Sequence, residues 1–336
     1  MDEVKVLSVM RLSEENLETL RQVSPQLNIS QITCHKPEEM DPLLDEVEVL
    51  YTYYADFDPA LAPRLKWIQL SSAGVDHLLD KPVMASDILI TTTSGIHAIP
   101  IAEYVFASVL NFWRQFPRLL GYQVRHEWPH GRWDEFRGEE LRGKTMGIVG
   151  YGSIGREVGR LAKCFGMRVL ALKRAPSKRA DPGHIVAGAG DPAGTIPDAI
   201  YAPEELCEMV AQCDVVVICL PLTAETKGFV GKEALRAMKP AAYLVNVSRG
   251  DVVDEEALVR ALRERWIAGA GLDVFHQEPL PPDHPLYDLE NVILTPHISA
   301  VTHAYDDRAT ALFAENLRRY LHGEELLNVV DRERGY

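Results

Sequence analysis

One stretch, TMGIVGYGSIG at residues 145–155, constrains the fold of this chain more than any other. A short apolar run at 145–149 leads directly into Gly-x-Gly-x-x-Gly. Apolar residues at helical spacing follow the third glycine, and a second strand candidate lies at 168–172. A strand, this glycine turn, a helix and a second strand together predict a βαβ unit that binds a dinucleotide.

Each glycine has a physical task in such a unit. Gly150 permits the tight turn, Gly152 lets the backbone approach a pyrophosphate, and Gly155 lets helix and strand pack closely. We expect the phosphates to lie against the backbone N–H groups of Ser153 and Ile154, at the positive end of the helix.

Length and charge limit the other possibilities. A chain of 336 residues with 46% hydrophobic residues is long enough for two domains with proper cores. Strand and helix patterns alternate along it, which indicates α/β layers. The formal net charge of −14 argues against a nucleic-acid surface and against binding to an anionic membrane.

The cysteines indicate a reducing compartment. There are five of them, an odd number without Cys-x-x-Cys spacing. We expect buried free thiols and no zinc or other metal site at Cys34, Cys164, Cys207, Cys213 and Cys219. The N-terminal sequence lacks the pattern of a signal peptide, and no apolar run is long enough to span a bilayer, so the sequence predicts a cytoplasmic protein.

The order of the patterns predicts two parallel α/β domains. Strand candidates in the first hundred residues lie at 4–10, 27–32, 47–51, 67–70 and 88–91. Those after the glycine turn lie at 168–172, 215–219, 242–247, 267–272 and 292–294. A long apolar helix at 97–116 leads into the second domain, and a last helix covers 305–322.

Two segments fit this alternation poorly. Residues 120–142 look irregular and carry Trp128 and Trp133, which is typical of a segment that covers a partner subunit or a site entrance, and equally of a surface loop. Residues 181–203 are rich in Gly, Ala and Pro, and we interpret them as an inserted surface loop without a function.

Six further motifs occur in a fixed order. They are SAGVD at 72–76, ELRGKT at 140–145, LPLT at 220–223, NVSRG at 246–250, GLDVF at 271–275 with EP at 278–279, and TPHISA at 295–300. With the glycine turn, they make the chain resemble the D-isomer-specific 2-hydroxyacid dehydrogenase family, in particular its glyoxylate/hydroxypyruvate reductases, over nearly its whole length.

The resemblance implies two doubly wound parallel-sheet domains. A Rossmann cofactor domain at 99–299 would be inserted into a flavodoxin-like substrate domain made of 1–98 and 300–336, with the active site in the cleft between them. It further implies an oxidoreductase that transfers a hydride between a nicotinamide cofactor and C2 of a small 2-keto or D-2-hydroxy acid, and a homodimer paired through the cofactor domain.

Three side chains match the catalytic residues of the family. Reduction of a 2-keto acid requires a cation for the carboxylate and a proton donor for the carbonyl oxygen. Arg249 matches the family's substrate-anchoring arginine, whose planar fork suits both groups. His297 matches the acid/base histidine, and Glu278 matches its carboxylate partner.

Other positions match binding residues of the family. The backbone of Ala73, Gly74 and Val75 would supplement Arg249 on the substrate carboxylate, and Asp273 would contact the nicotinamide amide. The remaining cofactor-binding positions implied by the resemblance are Leu220, Pro221, Thr226 and Val247.

The end of the second Rossmann strand departs from the NAD-binding pattern. Members that use NAD usually carry Asp there for the ribose hydroxyls, whereas this chain has Lys173 and Arg174, followed by Lys178 and Arg179. Basic residues at that position suit a 2′-phosphate. The sequence therefore favours NADP, with NAD possible and an ordinary solvated cluster as the alternative.

Two other functions deserve comparison. A nucleotide-sensing scaffold, like the dehydrogenase-related C-terminal-binding corepressors, keeps the same fold and catalytic residues. Formate dehydrogenases characteristically have Gln where this chain has Glu278, which argues against that activity. Among substrates, the sequence leaves glyoxylate, hydroxypyruvate, pyruvate and bulkier 2-keto acids open.

Overall fold

The computed structural model describes residues 3–181 and 183–336. Its contacts divide the chain into two compact units. Unit 1 comprises Met1–His97, Gly183–Val186 and Thr302–Tyr336, and unit 2 comprises Ala98–Pro182 and Ala187–Val301. In the described part of the chain, no helix combines the length and apolar character needed to cross a membrane.

The strands are, in chain order, β1 (Val4–Ser8), β2 (Leu27–Gln31), β3 (Val49–Thr52), β4 (Trp67–Leu70), β5 (Leu89–Thr91), β6 (Thr145–Val149), β7 (Arg168–Leu172), β8 (Ala199–Tyr201), β9 (Val215–Ile218), β10 (Tyr243–Asn246), β11 (Gly269–Leu272) and β12 (Val292–Leu294). The α-helices are α1 (Glu14–Arg21), α2 (Ala98–Trp113), α3 (Phe116–Val124), α4 (Arg132–Glu135), α5 (Ser153–Cys164), α6 (Leu206–Val210), α7 (Lys232–Ala237), α8 (Glu255–Arg263) and α9 (Tyr305–His322).

Unit 1 is built on a parallel sheet with the strand order β2-β1-β3-β4-β5, which is the flavodoxin order. Apolar side chains pack on both of its faces. One face buries Trp67 of β4 against Phe313 of α9, with ring centroids 5.5 Å apart. The helix at the C-terminal end of the chain thus completes the core that the first hundred residues begin.

Unit 2 is built on a parallel sheet with the order β12-β11-β10-β9-β6-β7-β8. Without β12, this is the Rossmann order 3-2-1-4-5-6, in which the direction of winding reverses between β6 and β9. Ligands of such sheets bind at the carboxyl ends of the two strands beside the reversal. The predicted class, two doubly wound parallel-sheet domains, is confirmed.

The interpretation of 181–203 as a plain surface loop is wrong. The segment contains β8, which extends the sheet of unit 2 beside β7. Upstream of β8, the Tyr151 hydroxyl donates to the buried Asp191 carboxylate at 2.8 Å. Arg156, only 1% exposed, donates to the backbone carbonyls of Asp191 and Arg179. A strand of three residues in a Gly-, Ala- and Pro-rich segment is too short to produce an alternating pattern, so no sequence pattern predicts it.

Part of the same segment belongs to unit 1. The N–H of His184 donates to Oδ1 of Asn328 at 3.1 Å. Gly95 has φ +99°, and a Cβ built on it would overlap the carbonyl oxygen of His184. Only glycine accommodates both this dihedral and this close approach.

Two smaller expectations also need correction. Residues 120–142 are not irregular throughout, because α3 and α4 cover parts of them. Cys34 and Cys213 are buried as expected, but Cys164 and Cys207 are exposed. Cys164 is the last residue of α5 and Cys207 lies at the start of α6, where one face of the helix meets solvent.

Candidate active site

The glycine turn lies at the reversal point of the unit 2 sheet. Gly150 follows β6 with φ +102°, and a Cβ built on it would lie 2.8 Å from the backbone of Cys219, which follows β9. A Cβ at Gly155 would overlap the carbonyl oxygen of Gly150. The fold itself therefore requires both of these glycines.

Gly152 differs from them. Its φ is −90°, and a Cβ built on it would meet no described atom within 4 Å. It is the N-cap of α5, and no side chain caps the N-terminus of that helix. The turn thus leaves open space beside Gly152, and the first N–H groups of α5, including those of Ser153 and Ile154, lie at the positive end of the helix dipole. These features fit the pyrophosphate of a dinucleotide.

Basic side chains lie at the end of β7, as predicted. Lys173 is half-buried, and its burial together with the nearby Arg156 lowers its pKa, while Asp181 acts in the opposite direction. Arg174 is exposed, with Nη1 3.6 Å from Oε2 of Glu225. This edge of the sheet therefore presents two cations where an NAD-binding site places a carboxylate.

Arg249 lies in a turn that is held by hydrogen bonds within residues 246–249. The side-chain amide of Asn246, at the end of β10, donates to the carbonyl of Arg249 at 3.0 Å and accepts the N–H of Ser248 at 3.1 Å. Nη1 of Arg249 donates to the carbonyl of Ser248 at 2.9 Å, and the side chain is half-buried. The guanidinium is thereby placed just beyond the carboxyl end of a sheet strand.

His297 and Glu278 are brought together from different loops. Nδ1 of His297 donates to Oε2 of Glu278 at 2.7 Å. The other carboxylate oxygen of Glu278 accepts the N–H of Phe275 at 3.0 Å. With Nδ1 engaged by the carboxylate, Nε2 is the ring nitrogen that can exchange a proton with a bound substrate.

The backbone of His297 is strained. Its φ is +55°, in the left-handed region that residues other than glycine rarely adopt. The N–H of His297 donates to the carbonyl of Asp273 at 2.9 Å, which fixes this conformation. Such strain persists only where the surroundings impose it, and it is concentrated at functional sites.

The surroundings of His297 are organised by Asp273, which is fully buried. Its Oδ1 accepts from the Thr295 hydroxyl at 2.6 Å and from the N–H of Ile298 at 2.9 Å, and its Oδ2 accepts from the N–H of Ser299 at 2.8 Å. Both carboxylate oxygens therefore hold the loop that carries His297.

A second layer supports this loop, and the sequence did not reveal it. The Thr295 hydroxyl also lies 2.6 Å from the Tyr104 hydroxyl of α2. Burial raises the pKa of Tyr104 to about 12, so the phenol stays neutral and can serve as a hydrogen-bond donor. Thr295 is part of the TPHISA motif, but nothing in the sequence pairs it with a residue 191 positions earlier.

The other predicted cofactor residues lie in the segments that follow β9 and β10. Oγ1 of Thr226 donates to the carbonyl of Pro221 at 2.6 Å and accepts the N–H of Thr223 at 2.8 Å, so the segment after Leu220 forms a closed turn. Val247 is buried directly after β10.

A cavity of about 610 Å³ lies beside the His297–Glu278 pair within unit 2. Its walls are largely apolar. Besides the pair, they are formed by Phe275, Pro279, Leu280, Tyr287, Leu294, Thr295 and Pro296.

The predicted substrate-binding backbone of unit 1 forms a turn after β4. Within it, the Ser72 hydroxyl donates to the carbonyl of Gly74 at 2.9 Å, Ala73 is exposed and Val75 is buried.

Comparisons with known proteins show the family of this chain. Residues 106–299 match the family model described as "D-isomer specific 2-hydroxyacid dehydrogenase, NAD binding domain". The chain is 39% identical over 274 residues to a glyoxylate reductase of Korarchaeum cryptofilum, covering 81% of this chain and 78% of that one. It is 35% identical over 327 residues to a glyoxylate reductase of Aeropyrum pernix, covering 94% and 93%.

A solved structure extends the similarity to the whole fold. The D-isomer specific 2-hydroxyacid dehydrogenase of Xanthobacter autotrophicus Py2, in complex with NADPH and MES, superimposes with a TM-score of 0.80 at 28% identity and covers all of both chains. This chain therefore belongs to the D-isomer specific 2-hydroxyacid dehydrogenase family and is an NAD(P)-dependent oxidoreductase that transfers a hydride between the cofactor and a small 2-keto or 2-hydroxy acid.

Proposed function

We propose that this protein is a reductase of glyoxylate and related small 2-keto acids that prefers NADPH. The observation that carries the proposal is the 2.7 Å hydrogen bond between His297 and Glu278, which lies beside an open cavity. The substrate is suggested by the names of the relatives in Korarchaeum and Aeropyrum.

Each catalytic residue has a distinct task in this proposal. Arg249 binds the carboxylate and carbonyl oxygen of the keto acid with two parallel N–H groups. His297, protonated at both ring nitrogens, gives the Nε2 proton to the oxygen as negative charge develops on it. Glu278 fixes the orientation of the ring and its Nδ1–H, and the backbone of Ala73, Gly74 and Val75 supplements Arg249 on the carboxylate.

When bound, a reduced nicotinamide supplies the hydride. Different groups of residues hold different parts of the cofactor in this proposal. The glycine turn (Gly150, Gly152, Ser153, Ile154, Gly155) binds the pyrophosphate, and the basic pair (Lys173, Arg174) binds the 2′-phosphate. Leu220, Pro221, Thr226 and Val247 line the nucleotide, and Asp273 lies beside the nicotinamide amide.

The preference for NADPH is supported from two directions. Lys173 and Arg174 stand where NAD enzymes have a carboxylate. The similar protein from Xanthobacter, at 28% identity, was solved in complex with NADPH. NAD remains the alternative cofactor.

The decisive experiment measures kcat/KM for glyoxylate, hydroxypyruvate, pyruvate and a bulkier 2-keto acid, each with NADPH and with NADH. We expect the highest value for glyoxylate or hydroxypyruvate with NADPH. His297→Ala should lose most of the turnover while its Kd for NADPH, measured by fluorescence titration, stays within about twofold. A His297→Ala variant with normal turnover would exclude the proposed acid/base role.

The same assay tests the alternative. A nucleotide-sensing scaffold would bind NADPH but reduce none of these acids. The similarity to proteins named as reductases favours the enzyme.

Three further features belong to the proposal. Unit 1 is the substrate domain, predicted as 1–98 with 300–336, and unit 2 is the cofactor domain, predicted as 99–299. The protein works in the cytoplasm, where free cysteines remain reduced. It forms a homodimer through unit 2, whose helix α3 and the following residues expose several large apolar side chains.

A further inference from the structure

The segments that carry Arg249 and Glu278 touch each other through their backbones. Gly250 directly follows Arg249, and a Cβ built on it would overlap the carbonyl carbon of Phe275. Phe275 in turn donates its N–H to Oε1 of Glu278 at 3.0 Å. A displacement of the 275–278 segment must therefore be transmitted to the turn beside Arg249.

Side chains join the two segments at the same place. Nδ1 of His276 donates to Oδ1 of Asp251, one residue after Gly250. The Asp251 carboxylate has 24% of its side chain exposed against 60% for His276, so the carboxylate is the more enclosed partner. The other carboxylate oxygen of Asp251 lies 3.8 Å from Nζ of Lys227, a longer contact.

Glu255, in the first turn of α8, extends this connection. Its Oε2 accepts the N–H of His276 at 3.2 Å, and its Oε1 lies 3.2 Å from Nε2 of His284. His276 precedes Glu278 and His284 follows it, so two acidic residues downstream of Arg249 hold the chain on both sides of Glu278. We name these four residues, Asp251, Glu255, His276 and His284, the acidic–histidine bridge.

We propose that His276 is a positioning residue, which acts through the acidic–histidine bridge to fix the Arg249 turn relative to the Glu278 loop. The inference rests on the proposed roles of Arg249 and of the His297–Glu278 pair. A keto acid must be bound by the guanidinium and protonated by the imidazole at once, so the rate depends on the relative placement of the two segments. A misplacement of about 1 Å can reduce a rate about a hundredfold.

The first measurement compares His276→Ala with His276→Asn. We expect His276→Ala to lower kcat/KM for the keto acid about tenfold, with the KM for NADPH unchanged. His276→Asn places an amide N–H near the position of Nδ1, retains a donor for Asp251 and should recover most of the loss. His35→Ala, which removes an exposed histidine of unit 1, serves as the matched control and should behave as wild type.

The second measurement tests whether His276 acts through Asp251. If His276 and Asp251 act together, His276→Ala combined with Asp251→Asn should be no worse than the poorer single variant. If Asp251→Asn does not fold, the same comparison with Glu255→Gln replaces it. The inference would be overturned if the losses in kcat/KM of the two single variants multiply in the double variant. It would also be overturned if a folded His276→Ala protein has an unchanged kcat/KM.

Arg249→Lys distinguishes this inference from the proposed function. A near-normal kcat/KM in Arg249→Lys would contradict the proposed function, and the positioning role with it. If Arg249→Lys loses most of its kcat/KM while His276→Ala keeps a normal value, only the positioning role is contradicted. In the Arg249→Lys background, His276→Ala should cause little further loss, because the guanidinium that it positions is gone.

Discussion

Single residues in this site carry more than one task. Asp273 was predicted as a nicotinamide contact, and the structure shows both of its carboxylate oxygens holding the loop of His297. His297 adopts φ +55°, and its N–H donates to the backbone carbonyl of the same Asp273 at 2.9 Å. The conformation of the proposed acid/base residue thus depends on a buried carboxylate 24 residues earlier in the chain.

Arg249→Lys tests substrate anchoring at this scale. The variant keeps the charge but loses the planar fork, so it cannot present two parallel N–H groups to the carboxylate and the carbonyl oxygen at once. We expect kcat/KM for the keto acid to fall by about two to three orders of magnitude, the range typical for the loss of a donor to developing negative charge. Steady-state kinetics measure this, and a loss below threefold would exclude the fork.

Thr295→Val tests the support of His297. The change preserves shape but leaves the Tyr104 hydroxyl without its partner and removes one of the two donors to Oδ1 of Asp273. A buried polar group without a partner costs about 1–3 kcal/mol in the free energy of unfolding. We expect a lower thermal midpoint and a reduced kcat. If kcat is retained in the destabilised protein, Thr295 supports the fold but does not orient His297.

At the scale of elements, a hydrogen bond and an ion pair connect the segment after β7 to the start of α5. Arg156, one residue after Gly155, holds the carbonyl of Arg179 and pairs with Asp181 at 3.1 Å. The long connection between β7 and β8 is therefore fastened to the glycine turn. That attachment gives the basic residues after β7 a defined place beside the proposed pyrophosphate site.

Lys173→Asp tests the proposed choice of cofactor. A carboxylate at this position repels a 2′-phosphate and can accept hydrogen bonds from the ribose hydroxyls. We expect the ratio of kcat/KM for NADPH to that for NADH to fall by at least tenfold, or about 1.4 kcal/mol. Glu225→Gln, which removes the carboxylate near Arg174, is the control and should leave NADPH preferred. A wild type that prefers NADH would refute the assignment.

The pKa of Lys173 predicts a pH dependence of that choice. Because burial and Arg156 lower this pKa, Lys173 loses its proton at lower pH than an ordinary lysine, whose pKa is about 10.4. The preference for NADPH should therefore weaken on the alkaline side before other lysines titrate. In Lys173→Arg the charge persists, and the KM for NADPH should stay flat over the same range. Parallel profiles for the two proteins would contradict this prediction.

At the scale of the whole molecule, unit 2 presents an apolar surface. Phe116, Leu120 and Val124 recur every four residues along α3, and Val124 is 78% exposed. Trp128 and Trp133, which follow, are each 76% exposed. Large exposed apolar groups close together typically mark an interface between proteins.

Val124→Glu combined with Trp128→Glu tests the proposed homodimer. Charges on this surface would have to be buried in the pairing of two copies, which is unfavourable. Light scattering coupled to size exclusion should give twice the chain mass for wild type and the single-chain mass for the variant. Leu79→Glu, at an exposed apolar position of unit 1, is the control and should remain a dimer. An unchanged mass in the double variant would place the interface elsewhere.

The sequence by itself determined the fold class, the glycine turn and the family. Local patterns suffice for these, because a buried parallel strand appears in the sequence as a run of apolar residues. The turn after β6 also requires glycine at positions 150 and 155, which makes the motif recognisable. The open space at Gly152 agrees with the task that its place in the motif implies. The motifs also predict Arg249, Glu278 and His297 as the catalytic residues.

Only the tertiary structure decided how these residues are held. The hydrogen bonds between Tyr104 and Thr295, between Tyr151 and Asp191, and between His276 and Asp251 join positions 25 to 191 residues apart. No periodicity or spacing encodes such pairs, since they arise only when the sheet brings the ends of its strands to one edge. For the same reason β8 was missed, because a three-residue strand is defined by its neighbour β7 and not by its own sequence.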